Sequence, residues 1–260
     1  MTWLVTGGAG YVGAHVVHAM VEAGMEVVAL DNLSNGRHTA LPPTVPLGYV
    51  SVTDLEDVRD VMEENHVTGV IHLAAFARAE DSVRQPLETW RVNLGGTLAV
   101  LDAMEQLGID RLVHSSTAAV FGGATPDVIS EDEPPRPESP YGSSALAAER
   151  AIVEQAAAIA SARRPMRHTA LRYGNAVGSA VDGVRDTSLV GITSRVLSAL
   201  ASGEAPRIHG GDYDTPDGTC VRDPLHVADV AAAHVSAARM LDAAEPLRTV
   251  YHLGTGRGVS

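Results

Sequence analysis

A tyrosine in the first turn of a predicted helix is well placed for acid–base chemistry. The run SPYGSSALAAE, residues 139–149, opens with Ser139, a favoured helix N-cap, and Pro140, a favoured first helical residue. Tyr141 follows directly, so its phenol is expected near the positive end of the helix dipole. Because an ionised phenol can accept a proton from a hydroxyl group, Tyr141 is a candidate general base.

Ionisation of this phenol requires nearby positive charge. Lowering the pKa of a phenol from ~10 to near 7 takes roughly 4 kcal/mol, whereas a helix dipole supplies about 0.3–1 kcal/mol, and about 2 at best. All 19 basic residues of the chain are arginine, and none is lysine. Arg78 and Arg150 are possible sources of charge, but Arg150 lies far around the helix from Tyr141. The sequence therefore predicts a phenol that is difficult to ionise.

Three hydroxyl side chains end a predicted strand upstream of this helix. Ser115 and Ser116 close the strand RLVHSS, residues 111–116, and Thr117 follows it ahead of the segment AVFGG. Hydroxyl groups in this place can orient a substrate hydroxyl toward a base. The alternative is that they only terminate the strand, but their position upstream of Tyr141 favours a site.

A glycine-rich segment near the N-terminus predicts a dinucleotide site. TGGAGYVG, residues 6–13, lies between a predicted strand and a predicted helix, with Gly7, Gly10 and Gly13 at intervals of three. Glycines here permit a tight turn, close approach of the backbone to a pyrophosphate, and close packing of helix on strand. A purely structural turn is the alternative.

Asp31 indicates which dinucleotide is bound. It ends the second predicted strand, 18 residues after Gly13. A carboxylate in this position hydrogen-bonds the adenosine ribose and repels a 2′-phosphate, so the sequence predicts NAD rather than NADP. Because Asp–Asn pairs are also common in turns, an aspartate that only starts a loop is the alternative.

These residues require a scaffold of alternating strands and helices. Strands are predicted at 2–6, 26–30, 48–52, 69–74, 111–116, 167–172 and 249–253, and helices at 11–23, 54–65, 86–107, 140–162, 188–202 and 226–241. This alternation predicts an α/β fold, a Rossmann-type doubly wound parallel sheet with helices on both faces.

Two parts of unequal size are expected. Residues 1–173 form the NAD-binding domain, to which 221–253 return, and the Gly-rich stretch 174–220 forms a partial, smaller C-terminal substrate lobe. The chain stops at GTGRGVS, just after a strand and a glycine turn, so we expect it to be truncated after residue 260.

Composition excludes several classes of partner. A net charge of −13 argues against nucleic acid and anionic membranes. A single cysteine, Cys220, excludes an internal disulfide, and the uncharged start MTWLVTGGAG is not expected to be a signal peptide, so a soluble cytoplasmic protein is expected. His72 and His114 end neighbouring strands without metal-ligand spacing, so no metal is predicted.

The motifs together resemble those of the extended short-chain dehydrogenases/reductases, and within them the UDP-glucose (UDP-galactose) 4-epimerase family. The matching runs, in order, are TGGAGYVG, LDNLSNG, VIHLAA, ESPYG, LRYGNAVG, GDYDTPDGTCVRD and HVADVAAAH. The run at 211–223 discriminates best, because it is typical of the 4-epimerases rather than of the superfamily.

The resemblance implies roles for individual residues. The catalytic residues it implies are Tyr141, Thr117 and Ser116, and the residues that bind the UDP-sugar are Thr117, Asn175 and Arg222. The contacts it implies for NAD are Gly7, Gly10, Tyr11, Val12, Gly13, Asp31, Asn32, Asp54, Leu55, Leu73, Ala74, Ala75, Asn93, Ser115 and Tyr141.

The resemblance also implies a mechanism. Tyr141 removes the proton of the sugar 4-hydroxyl, which Thr117 positions, while hydride passes from C4 to NAD. The 4-keto sugar rotates and takes the hydride back on its other face, so the net reaction is isomerisation. Members of the family often pair through the helices matching 86–107 and 140–162, which implies a homodimer.

The chain departs from this family at the position four residues after the tyrosine. Ala145 stands where the family has a lysine that holds the nicotinamide ribose and lowers the tyrosine pKa. Ala77, Gly174, Pro224 and the segment 188–194 differ as well. Two alternatives follow: a degenerate NAD-binding relative without epimerase activity, or a nucleotide-sugar dehydratase or reductase.

Overall fold

The computed structural model describes residues 1–77, 79–123, 128–159, 165–186, 191–207 and 210–260. The strands are β1 (Thr2–Thr6), β2 (Glu26–Leu30), β3 (Leu47–Gly48), β4 (Val67–His72), β5 (Arg111–Thr117), β6 (Arg167–Tyr173), β7 (Ala176–Val177), β8 (Leu225–His226) and β9 (Val250–Leu253). The helices are α1 (Tyr11–Glu22), α2 (Leu55–Glu64), α3 (Ala79–Arg84), α4 (Pro86–Trp90), α5 (Gly96–Leu107), α6 (Pro140–Ala158), α7 (Ile192–Ser202) and α8 (Val227–Asp242).

Seven strands form one parallel sheet in the order β3-β2-β1-β4-β5-β6-β9. The chain order reverses beside β1, because β2 and β3 lie on one side of it and β4 and the later strands on the other. Ligands of such sheets bind at the carboxyl ends of the strands next to this reversal. The sheet confirms the predicted α/β class and brings the segments that follow β1, β4 and β5 to one edge.

Helices cover both faces of the sheet, as predicted. Successive residues of β1 point to opposite faces: Trp3 and Val5 pack in the cluster that includes residues of α1 and α8, while Leu4 packs in the cluster that includes residues of α2 and α5. Valine, alanine, leucine and methionine fill most of both clusters, which agrees with the aromatic content of only 4%.

The helix predicted at 86–107 is confirmed, and within it a π-helical turn at Arg91–Gly95 joins α4 to α5. Gly95 and Gly96 lie at the junction, and glycine lowers helix stability. Inside this turn the amide of Asn93 accepts the N–H of Phe76 at 2.7 Å and donates to the hydroxyl of Ser144 at 2.9 Å. The wider turn therefore ties the segment after β4 to α6.

The strand predicted at 48–52 is wrong, since β3 covers only Leu47–Gly48 at the edge of the sheet. The chain then leaves the sheet, and Val52 packs so tightly on Gly96 that a Cβ there would lie 2.7 Å from its side chain. Helix α3 and the small β7–β8 pair are additions to the prediction. Residues 160–162 and 188–190 of two predicted helices lie outside the described residues.

The part of the chain after β6 contains shorter elements. β7 pairs with β8, Arg222 bridges Val259, and β9 returns to the main sheet beside β6. The division into an NAD-binding domain and a substrate lobe stays a prediction. Within the described ranges, no helix is both long enough and apolar enough to cross a membrane.

Candidate active site

The turn between β1 and α1 depends on its glycines. Gly7 has a φ of +68°, and a Cβ on Gly13 would lie 2.0 Å from the carbonyl oxygen of Gly7. Glycine at both positions therefore lets α1 approach the end of β1. Gly10 is the N-cap of α1, and no side chain caps this helix end. Helix N-termini of this kind favour anions.

Asp31 lies beside this turn at the end of β2. Its carboxylate accepts the backbone N–H groups of Ala9 at 3.0 Å and of Leu33 at 2.8 Å. Burial raises the pKa of Asp31, and the backbone donors oppose that rise. The carboxylate therefore links the glycine turn to β2 and also lines the cleft described next.

A cleft of about 1770 Å³ runs from the glycine turn along the carboxyl edge of the sheet to the segment after β6. Sixteen of the predicted site residues line it: Gly7, Gly10, Tyr11, Val12, Gly13, Asp31, Asn32, Leu73, Ala74, Ala75, Ser115, Ser116, Thr117, Tyr141, Asn175 and Arg222. The structure thus brings together most of the residues assigned separately to cofactor, catalysis and substrate.

Three predicted residues lie elsewhere. Asp54 is exposed, and its carboxylate caps α2 by accepting the N–H of Asp57 at 3.4 Å, while Leu55 is the first residue of that helix. Val50, Ser51 and Val52 line the cleft in their place. Asn93 is buried behind the cleft wall, where it holds the segment 74–77 in place through Phe76.

Tyr141 sits at the start of α6 as the sequence predicts. The Ser139 hydroxyl accepts the N–H of Gly142 at 3.1 Å, and the N–H of Tyr141 donates to the hydroxyl of Ser82 at 3.2 Å. A Cβ on Gly142 would lie 2.3 Å from the carbonyl oxygen of Ala119. The start of α6 therefore presses against the 3₁₀ turn after β5, which brings Thr117 to the phenol.

Burial dominates the electrostatics of Tyr141. It raises the pKa of the phenol above its usual value, and a hydrogen bond with the Thr117 side chain partly lowers it. Ala145 is buried at the edge of a small cavity that Tyr141 also lines. Arg150 is exposed, and Arg78 lies outside the described residues. The prediction of a phenol that resists ionisation agrees with this geometry.

Ser116 belongs to a buried ion-pair network that the sequence did not reveal. Arg172 donates to the carboxylate of Glu149 through Nε at 2.9 Å and through Nη2 at 2.6 Å. The Ser116 hydroxyl donates to the same carboxylate. Its hydrogen is therefore committed to Glu149 and not to the cleft. The sequence feature that could have indicated this network is the position of Glu149 on the same helix as Tyr141, eight residues or about two helical turns later.

Ser115 contacts a second tyrosine that sequence reasoning also missed. Its hydroxyl lies 2.7 Å from the phenol oxygen of Tyr173 at the end of β6. Burial strongly raises the pKa of Tyr173, and the proximity of Tyr141 raises it further. Tyr173 therefore stays neutral and serves as a hydrogen-bonding wall of the site.

Two histidines stack beneath the carboxyl edge of the sheet, with ring centroids 5.6 Å apart. His72 has both nitrogens near hydroxyls, that of Thr6 at 2.7 Å and that of Thr97 at 3.1 Å. Burial lowers the pKa of His72 to about 3 and that of His114 to about 4, so both rings are neutral near pH 7. The described residues contain no cluster of three or more metal-binding side chains.

The far end of the cleft is formed by the chain after β6. The carbonyl of Asn175 accepts the N–H of Leu225 at 2.9 Å, which joins β7 to β8. Arg222 is exposed, and its guanidinium donates to the carbonyl of Val221 at 2.8 Å. Both residues line the same cleft as the glycine turn.

A glycine turn at a sheet reversal, joined by one cleft to a helix-borne tyrosine, is typical of nucleotide-binding proteins of the doubly wound α/β class. The chain belongs to the NAD dependent epimerase/dehydratase family, whose model matches residues 3–254.

Several relatives share one name. The UDP-glucose 4-epimerase of Streptomyces lividans is 41% identical over 264 residues, which cover 99% of this chain and 77% of the relative. Among solved structures, the UDP-glucose 4-epimerase from Brucella ovis in complex with NAD is 35% identical, with a TM-score of 0.90, over 100% of this chain and 79% of that one. The Bifidobacterium longum enzyme in complex with NAD⁺ and UDP is 32% identical, with a TM-score of 0.89, over 100% and 80%.

Proposed function

We propose that the protein is an NAD-dependent nucleotide-sugar 4-epimerase that interconverts UDP-glucose and UDP-galactose or a related pair. The observation that carries this proposal is that Tyr141 and Thr117 line one cleft together with the residues of the glycine turn. The relatives named above support the choice of reaction. A base and a hydroxyl donor placed together suit removal of a proton from a sugar hydroxyl.

The residues of the glycine turn fit NAD. Side chains at Gly7 or Gly13 would collide with backbone atoms, so glycine at both positions keeps the turn tight and α1 close to the end of β1, as in dinucleotide-binding turns. Asp31 and Asn32 line the cleft where the adenosine ribose would lie, and Leu73, Ala74 and Ala75 would lie under the cofactor. Bound NAD would supply reversible oxidation at sugar C4.

The proton steps belong to Tyr141 and Thr117. The Thr117 oxygen is fixed by the N–H of Ala119 at 3.1 Å, so its own hydrogen can be directed to the phenol or to the sugar 4-hydroxyl. The phenol oxygen of Tyr141 accepts the proton of that hydroxyl and later returns it. Because burial disfavours the ionised phenol, this step should be slow near neutral pH.

Substrate binding is assigned to the far end of the cleft. Arg222 carries the positive charge that a UDP pyrophosphate requires, and the side chain of Asn175 offers an amide nearby. We assign residues 174–220 to the substrate lobe. Ser116, whose hydroxyl is bound to Glu149, is proposed to position the end of β5 rather than to touch the sugar.

A homodimer is also proposed. Helices α4, α5 and α6 pack on one another and leave Leu87, Leu98 and Val153 exposed. Burial of these apolar side chains would stabilise a pair of subunits. Gel filtration at micromolar concentration should give the mass of two chains, and elution of a monomer alone would reject the proposal.

The competing hypothesis is an NAD-binding protein without epimerase activity, which the alanine at position 145 favours. Purified protein should be incubated with NAD and UDP-galactose, and the formation of UDP-glucose followed at neutral and alkaline pH. Slow conversion that accelerates with pH and disappears in Tyr141→Phe supports the epimerase. NAD binding without inversion of any UDP- or dTDP-hexose would establish the competing hypothesis.

A further inference from the structure

A second, much smaller cavity lies between the end of β5 and the first turns of α6 and has a volume of about 20 Å³. Its polar lining includes Tyr141, Thr117, Ser115, Asn93 and His114. Ala145 contributes apolar lining. A cavity can hold one water-sized molecule once its volume exceeds about 10–15 Å³. The space therefore suits a single small species that forms hydrogen bonds.

His114 is a buried side chain whose hydrogen-bonding groups are left unsatisfied by the described residues. The side chain is only 6% exposed, yet neither ring nitrogen has a partner among the described residues. Buried polar atoms are nearly always hydrogen-bonded, to protein or to a bound small molecule. Since the ring is neutral near pH 7, one of its nitrogens is an acceptor.

The other polar groups of the lining also favour a donor as the occupant. The Asn93 amide is engaged on both sides, because it accepts from Phe76 and donates to Ser144. The hydroxyl oxygens of Ser115 and Thr117 retain lone pairs. A Tyr141 phenolate would add the strongest acceptor of the set. A species with several N–H donors satisfies these groups better than one with few.

The ionisable side chains around the cavity do not supply a positive charge to Tyr141. His72 and His114 are neutral near pH 7, and burial keeps Tyr173 protonated. Arg172 is paired with Glu149, so their charges compensate. The described side chains that line the cavity carry no positive charge, and a bound cation would supply one.

We propose that this cavity binds one small protonated amine, of which ammonium is the simplest, and that the bound cation holds Tyr141 as the phenolate. Binding of the cation is coupled to the release of one proton from the phenol to solvent. One positive charge enters and one leaves, so the net charge of the cavity stays the same. The functional meaning rests on the proposed role of Tyr141 as the base, but the binding does not depend on that role.

The test is a tyrosinate absorbance measurement in ammonium chloride and in tetramethylammonium chloride at equal ionic strength, below the pH at which ammonium loses its proton. Tyr141→Phe identifies the Tyr141 contribution. We expect ammonium to raise that contribution about tenfold, equivalent to one pKa unit, and to saturate. Tetramethylammonium should have no effect, because it is too large for the cavity and has no N–H donor.

Two substitutions at one position provide matched controls. Ala145→Met fills the cavity without charge and should abolish the response to ammonium, while Ala145→Lys should give high tyrosinate without ammonium. If Ala145→Met does not fold, Ala145→Val serves the same purpose. Equal tyrosinate in the two salts for the wild-type protein overturns the proposal, as does an ammonium response that survives in the filled variants.

An activity measurement separates this proposal from the proposed function. Stimulation of epimerisation by ammonium supports both. A tyrosinate response without any epimerisation supports the cation site and rejects the epimerase.

Discussion

Replacing Ala145 with lysine is expected to increase epimerase turnover at neutral pH and to shift the pH profile downward. Ala145 lies one helical turn beyond Tyr141 on α6, is 8% exposed, and borders the cavity that the phenol also lines. An ammonium group attached here can reach the phenol oxygen from the direction in which the wild-type protein offers only a methyl group.

The size of the effect follows from the ionisation of the phenol. Burial raises the pKa of Tyr141 above its usual value, so at neutral pH fewer than about one molecule in a thousand carries the phenolate. An opposite charge within ~4–6 Å lowers a pKa by about 1–3 units. The phenolate fraction, and kcat where proton removal limits the rate, should therefore rise roughly 10- to 1000-fold.

The substitution should also reduce stability. The lysine places a long side chain at a buried position beside a cavity sized for one small molecule, and overpacking of a core typically costs about 1–3 kcal/mol. Ala145→Met has similar length without charge, so it should lose stability without gaining turnover. The assay follows UDP-glucose formed from UDP-galactose at saturating NAD, from neutral to alkaline pH. Identical pH profiles for the two variants would refute the reasoning about Tyr141.

Three further expectations concern cofactor binding and stability. Asp31→Asn should weaken NAD binding about tenfold or more, because the ribose would lose a charged acceptor; calorimetric titration would measure this, and an unchanged Kd would reject the ribose role. Arg172→Met should destabilise the fold by about 3–5 kcal/mol, because the Glu149 carboxylate would stay buried without a cation. Urea unfolding should show most of that loss recovered in Arg172→Met/Glu149→Gln, and no recovery would mean that the pair is not the cause. Burial also lowers the pKa of His72, His114 and His234, to about 3, 4 and 4, below the ordinary 6.5. Above about pH 6.5 these histidines are neutral in both states and do not reduce the free energy of unfolding. As the pH is lowered from about 6.5 to about 4, each histidine reduces it by roughly 1.4 kcal/mol per pH unit. The urea midpoint should drop less between about pH 7 and about pH 5 in His114→Phe than in the wild-type protein. An equal drop in the two proteins would contradict this account.

Local patterns predicted the parts of the site that local sequence determines. The glycine turn at 6–13, the carboxylate at Asp31 and the Ser139 cap of α6 each depend on neighbouring residues. Parallel strands then bring their carboxyl ends to one edge whatever the details of the helices. This is why sixteen assigned residues meet in one cleft although they span the chain from Gly7 to Arg222.

The features that escaped prediction depend on contacts between distant segments. The π-helical turn places Asn93 against residues 17 and 51 positions away. The strand predicted at 48–52 extends no further than Gly48, and Val52 packs on Gly96 of α5. The family resemblance implied a contact between Asp54 and NAD, but Asp54 is an exposed helix cap. Arg172 on β6 pairs with Glu149 on α6, and the two residues are 23 positions apart in the sequence. Their proximity follows from the packing of α6 on the sheet and not from a local pattern.

The contacts that hold Tyr141 do not involve residue 145. Ser139 caps the helix, Ser82 accepts the tyrosine N–H, and Gly142 abuts Ala119. The backbone position of Tyr141 is thus set by contacts that a substitution at residue 145 does not remove. This arrangement suits a linear free-energy study in which fluorinated tyrosines at position 141 vary basicity alone. The slope of log rate against phenol acidity would report how far the proton has moved in the transition state.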